Sequence, residues 1–507
     1  MPIINSILSW IMKQRIHQIE LFIKYPHEVQ EEWFRKLISA GRFSEWGNKY
    51  DYSSIKTIKD YQNRVPVQDY ESIKPYIQRL RQGEQRLLWS SDVKWFAKSS
   101  GTTSDKSKFI PVTNEALEDC HFKGGKDLLS IYCNNHPDTG LFNGKLLSLG
   151  GSHQINSFNN ESFYGDLSAI LIQNLPIWIQ LLRTPEISIA LMDEWEAKIE
   201  MMAITTSKED VTNISGVPSW TLVLIDRILE LTGKENIVEV WPNLELFIHG
   251  AVNFKPYEEQ FKKLIPKPGM NYYETYNASE GFFGIQDRSK SDEMLLMLDY
   301  GIFYEFIPVD ELHSSNPKVL TLNDVELDEN YAIVITTNAG LWRYKIGDTV
   351  AFTSLNPYRI RITGRTAHFI NAFGEELIVD NAERAIAEAC KKAGAIVREY
   401  TASPIYFSDK TSGAHEWLIE FEKQPEDLAG FAQLLDQELK NVNSDYEAKR
   451  YKDMALRPPV IRILPENTFY MWLKSKEKLG GQHKVPRLSN DRKIVEEIVS
   501  FTSLYSI

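Results

Sequence analysis

Leu244–Val252, LELFIHGAV, has the length and the nearly continuous apolar character of a strand buried on both faces. Two similar segments, LLSLG at residues 146–150 and YAIVITT at residues 331–337, lie before and after it. Helical patterns over Trp220–Leu231 and Tyr257–Leu264 separate several of these segments. Alternating strands and helices predict an α/β architecture for this part of the chain.

Both ends of the chain have patterns of their own. The first ten residues predict an amphipathic helix, and Ile16–Leu37 carries a mostly helical pattern. After Gly364 the pattern restarts and predicts a small α+β unit with helices over 380–393 and 425–439 and strands near 395–400, 416–421 and 460–464. We therefore expect two domains, residues 1–364 and 365–507. They would be joined by a compact hinge near 363–368, because no Gly/Ser-rich linker is present.

Composition and charge exclude several classes of protein. The 507 residues are too many for one ordinary core, and 57 basic against 69 acidic residues give a net charge of -12. No global positive field exists to attract a nucleic acid, and no apolar run approaches the ~18 residues of a membrane span. Cys120, Cys133 and Cys390 are odd in number and far apart, which argues against a disulfide framework or a cysteine-built zinc site. We expect a cytoplasmic protein, and nothing in the sequence demands more than a monomer.

A polar segment that could surround phosphate lies at Ser99–Lys108, SSGTTSDKSK, directly after the apolar Trp95–Ala97. Backbone N–H groups of a glycine-containing turn, hydroxyl groups and a lysine can all donate to phosphate oxygens. The segment is not a Walker A loop, because it lacks G-x-x-x-x-G-K-[ST]. Taken alone, such a segment is more often a solvated connection, so the interpretation depends on the other segments.

A second polar segment, Tyr272–Gly281, places the carboxylate of Glu280 beside a glycine. One carboxylate facing a triphosphate is enough to hold magnesium, which prefers oxygen ligands. The alternative interpretation is a helix N-terminus at which Glu280 complements the helix dipole. Ser279 is disfavoured as a nucleophile, because Asn277 breaks the G-x-S-x-G pattern of an elbow turn.

A third segment, Leu341–Asp348, predicts a strand that ends at Gly347 and leaves Asp348 at its end. An ionised aspartate can accept hydrogen bonds from both vicinal hydroxyls of a ribose. An isolated Gly-Asp pair is also a common turn, so the interpretation depends on the neighbouring segments.

Four segments, taken in order, resemble the adenylate-forming superfamily of acyl-CoA synthetases, firefly luciferase and peptide-synthetase adenylation domains. They are SSGTTSDKSKFIP at 99–111, YNASEG at 276–281, WRYKIGD at 342–348 and GGQHKVPRL at 480–488. More narrowly, they resemble the auxin-responsive Gretchen Hagen family of acyl acid amido synthetases, in particular its bacterial members. The likeness extends from about Arg64-Val65-Pro66 to the C-terminal lysine motif. It implies a large adenylate-forming domain, a smaller mobile C-terminal domain, and the use of ATP and magnesium.

The resemblance also implies roles for individual residues. The phosphate-enclosing loop would comprise Ser99, Ser100, Gly101, Thr102 and Thr103, with Lys106 and Lys108 nearby. The segment beside the nucleotide would comprise Tyr276, Asn277, Ala278, Ser279, Glu280 and Gly281, with Glu280 as the magnesium ligand. Gly250 and Ala251 would lie along the adenine, Phe303 would stack on it, and Asp348 would hold the ribose. Arg365 and Lys484 would be catalytic residues of the mobile domain. Ala367 stands where relatives often have an acidic hinge residue, which leaves the pivot open.

The implied reaction activates a carboxylic acid as its acyl-adenylate and passes the acyl group to an amine such as an amino acid. Two alternatives remain open, an acyl-CoA ligase with the same first step and a catalytically silent nucleotide-binding protein. His153, in LGGSHQ, could act as a base toward the amine, although a structural histidine is the more common case. The helix after Thr113, with Leu117 and Cys120, could line the acyl pocket or belong to the core.

Overall fold

The structure is a computed structural model. It describes residues 2–100, 107–149, 155–159, 161–192, 194–252, 254, 257–312, 314, 317–365, 369–407, 412–476 and 485–504. Within these ranges the α-helices are α1 (Pro2–Lys13), α2 (Ile16–Lys24), α3 (Pro26–Gly41), α4 (Glu45–Lys49), α5 (Ile58–Arg64), α6 (Tyr70–Arg81), α7 (Asn114–Ala116), α8 (Lys123–Asn135), α9 (Leu167–Asn174), α10 (Ile177–Leu182), α11 (Ile187–Ala190), α12 (Trp195–Thr206), α13 (Pro218–Thr232), α14 (Glu258–Leu264), α15 (Val379–Ala393), α16 (Leu428–Val442), α17 (Ser444–Lys449), α18 (Thr468–Ser475) and α19 (Lys493–Leu504).

The strands in the same ranges are β1 (Trp95–Ser100), β2 (Ser107–Val112), β3 (Lys145–Ser148), β4 (Asn156–Ser157), β5 (Phe163–Gly165), β6 (Arg183–Thr184), β7 (Val211–Ser215), β8 (Leu246–Gly250), β9 (Asn271–Ala278), β10 (Gly281–Ile285), β11 (Met294–Leu296), β12 (Ile302–Pro308), β13 (Leu320–Thr321), β14 (Asn330–Thr337), β15 (Tyr344–Leu355), β16 (Tyr358–Arg365), β17 (Phe369–Ile370), β18 (Leu377–Ile378), β19 (Ile396–Ile405), β20 (Ala414–Lys423) and β21 (Val460–Leu464). The three strands and two helices of the predicted α/β pattern are confirmed as β3, β8, β14, α13 and α14. None of the helices in the described ranges is long and apolar enough to cross a membrane.

The N-terminal helices follow the predicted pattern with one break. The expected amphipathic helix is α1, but the pattern over Ile16–Leu37 forms two helices, α2 and α3. Pro26 begins α3, and Tyr25 before it leaves the helical region with φ -129° and ψ 56°. The break follows because proline cannot donate to the preceding turn and its ring disfavours helical geometry at the residue before it.

The large sheet of the described residues is mixed and contains twelve strands. Its order is β13-β12-β14-β15-β16-β11-β10-β9-β8-β7-β3-β6. Strands β6, β3, β7, β8 and β9 run parallel to their neighbours, and the remaining pairs, from β9–β10 outward, are antiparallel. A second sheet has the order β2-β1-β5-β4. The parallel strands are joined by helices, as a parallel crossover requires.

The core of the large sheet includes two residues of the WRYKIGD segment. Trp342 is fully buried and donates to the carbonyl oxygen of Leu88 at 2.8 Å. The Arg343 guanidinium forms a buried ion pair with Glu305 at 2.9 Å and donates to the carbonyl oxygen of Val65 at 2.6 Å. These contacts give two residues of the segment a structural role, separate from the nucleotide role that the resemblance implies for Asp348.

The chain divides into two compact units. Unit 1 comprises Met1–Lys98, Phe109–Ala251 and Phe261–Thr366, and unit 2 comprises Ser99–Lys108, Val252–Gln260 and Ala367–Ile507. Unit 2 contains the predicted α+β elements as α15, β19, β20, α16 and β21, with the sheet order β19-β20-β21. A functional hinge near 363–368 stays a prediction, and residues 366–368 lie outside the described ranges.

Candidate functional site

The hairpin of β9 and β10 carries the second polar segment of the sequence. Ala278 pairs with Gly281, so Ser279 and Glu280 form a two-residue turn between the strands. The alternative interpretation of Glu280 at a helix N-terminus is therefore wrong. The turn holds the half-buried Glu280 at the end of the strand that contains Tyr276.

A hydrogen bond joins this hairpin to the third polar segment. The Tyr276 hydroxyl donates to Oδ2 of Asp348 at 2.8 Å, across 72 positions of sequence. Only 5% of Tyr276 is exposed, and its ring lies 4.8 Å from that of Phe283, measured between centroids. Packing thus fixes the tyrosine that orients the half-buried Asp348 carboxylate.

Asp348 lies on a bulge in the middle of a strand, which corrects one prediction. We expected the strand to end at Gly347, but β15 continues to Leu355. Ala332 of β14 pairs with Thr349 and Val334 pairs with Lys345, so three residues of β15 face one residue of β14. Gly347 adopts a φ of +92°, which a residue without a Cβ tolerates. The bulge re-aims the Asp348 side chain without ending the strand.

Gly250 lies beside the same hairpin, at the carboxyl end of the parallel strand β8. It pairs with Thr275, the residue before Tyr276. A Cβ at Gly250 would lie 2.6 Å from the carbonyl oxygen of Thr275, so only glycine fits here. The next residue, Ala251, is exposed and has a φ of +67°. Carboxyl ends of parallel strands are where open α/β sheets commonly bind ligands.

The backbone of Arg365 lies opposite Asp348. The two residues are paired across β15 and β16, and Gly364 before Arg365 has a φ of +154°. The side chain of Arg365 lies outside the described part of the chain. The pairing brings the predicted arginine and aspartate positions together, although 17 positions of sequence separate them.

Phe303 does not join this arrangement. It pairs with Thr336 within the sheet, and only 2% of it is exposed. Its ring packs against Phe34 with a centroid distance of 5.2 Å. A ring buried in the core cannot stack on a nucleotide base, so the predicted role of Phe303 is wrong.

The remaining predicted residues fall in other parts of the chain. Ser99 ends up on β1 and Lys108 on β2, and both belong to unit 2. The side chain of Ser100 lies outside the described part. Also outside the described residues are Gly101, Thr102, Thr103, Lys106, His153 and Lys484. Their predicted roles stay predictions.

The contact between Cys120 and the hairpin of β9 and β10 was not predicted from the sequence. Helices α7 and α8 are continuous through a π-helical turn at Leu117–Phe122, and Cys120 in that turn accepts the N–H of Phe282 at 3.2 Å through its sulfur. A Cβ at Gly124 would lie 2.5 Å from the Phe282 ring. The helix therefore packs closely under the hairpin, and π-helical turns are frequent at functional sites. The Gly124-Gly125 pair within a helical pattern was the available sequence signal.

His121 in the same turn is a buried titratable group. It is 6% exposed, and burial lowers its pKa to about 4. Its Nδ1 makes no hydrogen bond within the described part of the chain. His121 is therefore neutral at physiological pH and adds no charge to the surroundings of the hairpin.

Family comparisons cover the chain from near its start to near its end. A model of the GH3 family N-terminal domain matches residues 15–270, one of the central domain matches 295–365, and one of the C-terminal domain matches 380–493. Indole-3-acetic acid-amido synthetase GH3.3 of Arabidopsis thaliana is 24% identical, with 92% of this chain and 90% of the relative covered. The 4-substituted benzoates-glutamate ligase GH3.12 of Arabidopsis thaliana is also 24% identical, with 92% and 94% covered.

Two solved structures share the fold. GH3.15 acyl acid amido synthetase superposes with a TM-score of 0.62 at 17% identity, covering 96% of both chains. A 2-hydroxyisobutyryl-CoA ligase in complex with 2-HIB-AMP and CoA superposes with a TM-score of 0.58 at 13% identity, covering 96% of this chain and 93% of the ligase. At these identities the likeness establishes the fold, and the chemistry rests on the residues of the site.

Proposed function

We propose that this protein is a ligase, because the chain belongs to the GH3 family, whose models match its N-terminal, central and C-terminal parts. The enzyme activates a carboxylic acid with ATP to an acyl-adenylate and transfers the acyl group to an amine, giving an amide, AMP and pyrophosphate. The amine is an amino acid, as the names of the amido synthetases and of the benzoates-glutamate ligase indicate for those relatives.

The hydrogen bond between Tyr276 and Asp348 is the observation that carries this proposal. A carboxylate accepts several hydrogen bonds at once, so the contact with Tyr276 is compatible with ribose hydroxyls as further donors. Gly250 lets β8 pack closely against Thr275 of the same hairpin, because a Cβ there would meet the carbonyl oxygen of Thr275. The proposed position of ATP has its ribose on Asp348 and its adenine along Gly250 and Ala251.

The chemistry needs positioning and charge neutralisation, and no side-chain nucleophile. An oxygen of the substrate carboxylate attacks the α-phosphorus of ATP, and the bond to pyrophosphate breaks. The amine nitrogen then attacks the acyl carbon, loses a proton to solvent or a base, and the bond to AMP breaks. Both steps are accelerated by holding the reactants in line and stabilising the developing charge.

The proposed charge-stabilising groups come from the resemblance to the family. Ser99, Ser100, Gly101, Thr102 and Thr103 would enclose the phosphates, with Lys106 and Lys108 beside them. Lys484 and Arg365 would stabilise the adenylation step. A C-terminal domain that moves between the two half-reactions would separate the sites of the two steps in time.

Magnesium is the proposed metal, and Glu280 is its proposed protein ligand. Magnesium is usually bound by one or two carboxylates together with substrate phosphates. The turn that holds Glu280 presents one such carboxylate at the end of β9. Bound there, the ion would neutralise the charge of the phosphates. Across the described ranges no group of three or more His, Cys, Asp or Glu side chains could hold a metal without such help.

Several finer predictions accompany this function. We propose a cytoplasmic monomer from a bacterium, although the curated relatives reported above come from a plant. The identity of the acid is a property of pocket shape, which differs among relatives that share these motifs.

Pyrophosphate release from magnesium-ATP tests the proposal. A panel of aryl, indolyl and fatty acids is assayed with and without pooled amino acids, and products are identified by mass. Acid-dependent release that turns over faster with an amino acid is the expected result. Asp348→Ala should abolish most of it. Asp292→Ala, which removes an exposed carboxylate 3.7 Å from Arg361 in the same unit, should not.

The same assay separates the rival functions. A thioester product with CoA and no amide would identify an acyl-CoA ligase. ATP binding by calorimetry without any acid-dependent pyrophosphate release would identify a silent nucleotide-binding protein and overturn the ligase proposal.

A further inference from the structure

The ring of Phe282 rests on helix α8 at a position where the helix has no side chain. Phe282 follows Glu280 by two residues and pairs with Asn277 across the hairpin of β9 and β10. A Cβ at Gly124 of α8 would lie 2.5 Å from the ring, well inside the roughly 3.5–4.0 Å at which carbon atoms make favourable contact. The ring therefore occupies the space that a side chain at position 124 would need.

The same helix also holds the Phe282 ring from another side. The Tyr300 ring meets it edge-on, with a centroid distance of 5.9 Å and an interplanar angle of 83°. The Tyr300 hydroxyl donates to Oδ2 of Asp127 at 2.9 Å, and Asp127 follows Gly124 on α8 by three residues. Asp127 forms a buried ion pair with Arg15 at 2.8 Å. A shift of the Phe282 ring would therefore disturb a buried network on α8.

The backbone of Phe282 is held by the turn that precedes α8. The neighbouring strand β11 pairs with Gly284 and Ile285, further along β10 than Phe282. The N–H of Phe282 instead donates to the sulfur of Cys120 at 3.2 Å. Burial raises the pKa of Cys120 to about 12, so its sulfur stays a neutral thiol that can accept this bond. A buried N–H needs such a partner, and here the helix supplies it.

We propose that Gly124 is a positioning residue for the Glu280 carboxylate and acts through Phe282. The inference rests on the proposed function, in which Glu280 holds the metal. Gly281 is the one residue between Phe282 and Glu280, so a shift at Phe282 is passed directly to the turn. A side chain at position 124 would displace the ring by about 1 Å before it reached ordinary contact. That is about twice the roughly 0.5 Å within which the groups of a functional site have to be held.

Two neighbouring glycines give a matched pair of variants. Gly124→Ala adds a methyl group against the Phe282 ring. Gly125→Ala changes the next residue of the same helix, where an added Cβ would meet no atom of the described residues within 4 Å. Both substitutions bring the same gain in helix propensity. A difference between the two variants therefore reports on the contact with the ring.

Manganese binding measured by equilibrium dialysis tests the proposal. Manganese takes the same oxygen ligands as magnesium, and α,β-methylene-ATP is added as a nucleotide that cannot release pyrophosphate. Changes in residues that support a metal ligand typically cost about 10- to 100-fold in metal affinity. We therefore expect manganese to bind roughly tenfold more weakly to Gly124→Ala, at least as weakly to Glu280→Gln, and with wild-type affinity to Gly125→Ala.

Binding of the nucleotide without metal separates the placement of Glu280 from general damage to the site. The affinity for α,β-methylene-ATP alone should be unchanged in both glycine variants. Equal manganese affinity in Gly124→Ala and Gly125→Ala would overturn the proposal. Weaker binding of the nucleotide alone in Gly124→Ala would overturn it as well, because the substitution would then have a general structural effect.

A double substitution tests whether contact with the ring is the cause. Phe282→Ala removes the ring, so the methyl group of Gly124→Ala has nothing to displace. The double variant should bind manganese no more weakly than Phe282→Ala alone, because residues in direct contact are not additive in their effects. Additive losses would show that Gly124 acts by another route and would refute its role through Phe282.

Cys120 provides a second route if circular dichroism shows that Gly124→Ala does not fold. Cys120→Ala removes the acceptor of the Phe282 N–H, and Cys120→Ser supplies another. Manganese affinity should fall in Cys120→Ala and recover in Cys120→Ser, and amide hydrogen exchange at Phe282 should be faster in Cys120→Ala. Faster exchange at Phe282 with wild-type manganese affinity would overturn the proposal.

Failure of this inference and failure of the proposed function give different results. Manganese binding that depends on Glu280 and Gly124, without acid-dependent pyrophosphate release, would overturn the ligase reaction alone. Acid-dependent release with a manganese affinity that does not depend on Glu280 would overturn this inference alone, since helix α8 would then have no metal ligand to position. A wild type that binds no manganese would overturn the inference whatever the release assay shows.

Discussion

Replacing Tyr276 by phenylalanine removes one hydroxyl and tests how Asp348 is oriented. The hydroxyl donates to Asp348 at 2.8 Å from a side chain that is 5% exposed. A hydrogen bond to a charged group contributes about 1.5–3 kcal/mol, and we take the lower end because Asp348 is only half-buried. About 1.5 kcal/mol corresponds to roughly a tenfold change in an equilibrium constant. We therefore expect the KM for ATP to rise roughly tenfold, with kcat changing by less than about threefold.

The assay is acid-dependent pyrophosphate release with ATP and with 2′-deoxy-ATP. Loss of ribose recognition should reduce the preference for ATP in Tyr276→Phe and remove it in Asp348→Ala. Tyr304→Phe is the matched control, because it removes another buried tyrosine hydroxyl, which donates to the carbonyl oxygen of Met297 at 3.1 Å. An unchanged KM for ATP in Tyr276→Phe, or an equal rise in Tyr304→Phe, would refute the orienting role of Tyr276.

Three further predictions concern stability, pH and catalysis. Arg343→Met should lower the free energy of unfolding by about 3–5 kcal/mol in urea titrations, because it leaves the buried Glu305 carboxylate unpaired; a loss below about 1 kcal/mol would contradict this. Burial lowers the pKa of His121 from 6.5 to about 4 in the folded protein, so the unfolded chain binds more protons between these pH values. The unfolding free energy should thus fall by about 3 kcal/mol as pH drops from 6.5 to 4, and His121→Gln should flatten that part of the profile. Lys484→Ala should slow the adenylation half-reaction roughly 10²-fold or more in single-turnover assays, and an unimpaired rate would remove this lysine from the mechanism.

Much of the fold could be predicted because its signals are local. Buried parallel strands have continuous apolar segments, and β3, β8 and β14 lie where such segments occur. The two failures in element boundaries lie at a proline and at a glycine. Pro26 divides one predicted helix, and Gly347 bulges a strand instead of ending it. A glycine in a strand is compatible with a turn or a bulge, and only the pairing with β14 decides between them.

The sequence by itself determined the architecture, the family resemblance and the segments that carry Tyr276 and Asp348. Short motifs and periodic patterns are formed by residues that are close in sequence, so they are visible without the structure. Only the tertiary structure decided which side chains meet. It joined Tyr276 to Asp348 through a hydrogen bond, placed Phe303 in the core against expectation, and buried Nε and Nη2 of Arg183 without a hydrogen bond among the described residues. Strand order and the face on which a side chain lies depend on pairing between strands that are distant in sequence. A motif of neighbouring residues therefore specifies neither the strand order nor the face.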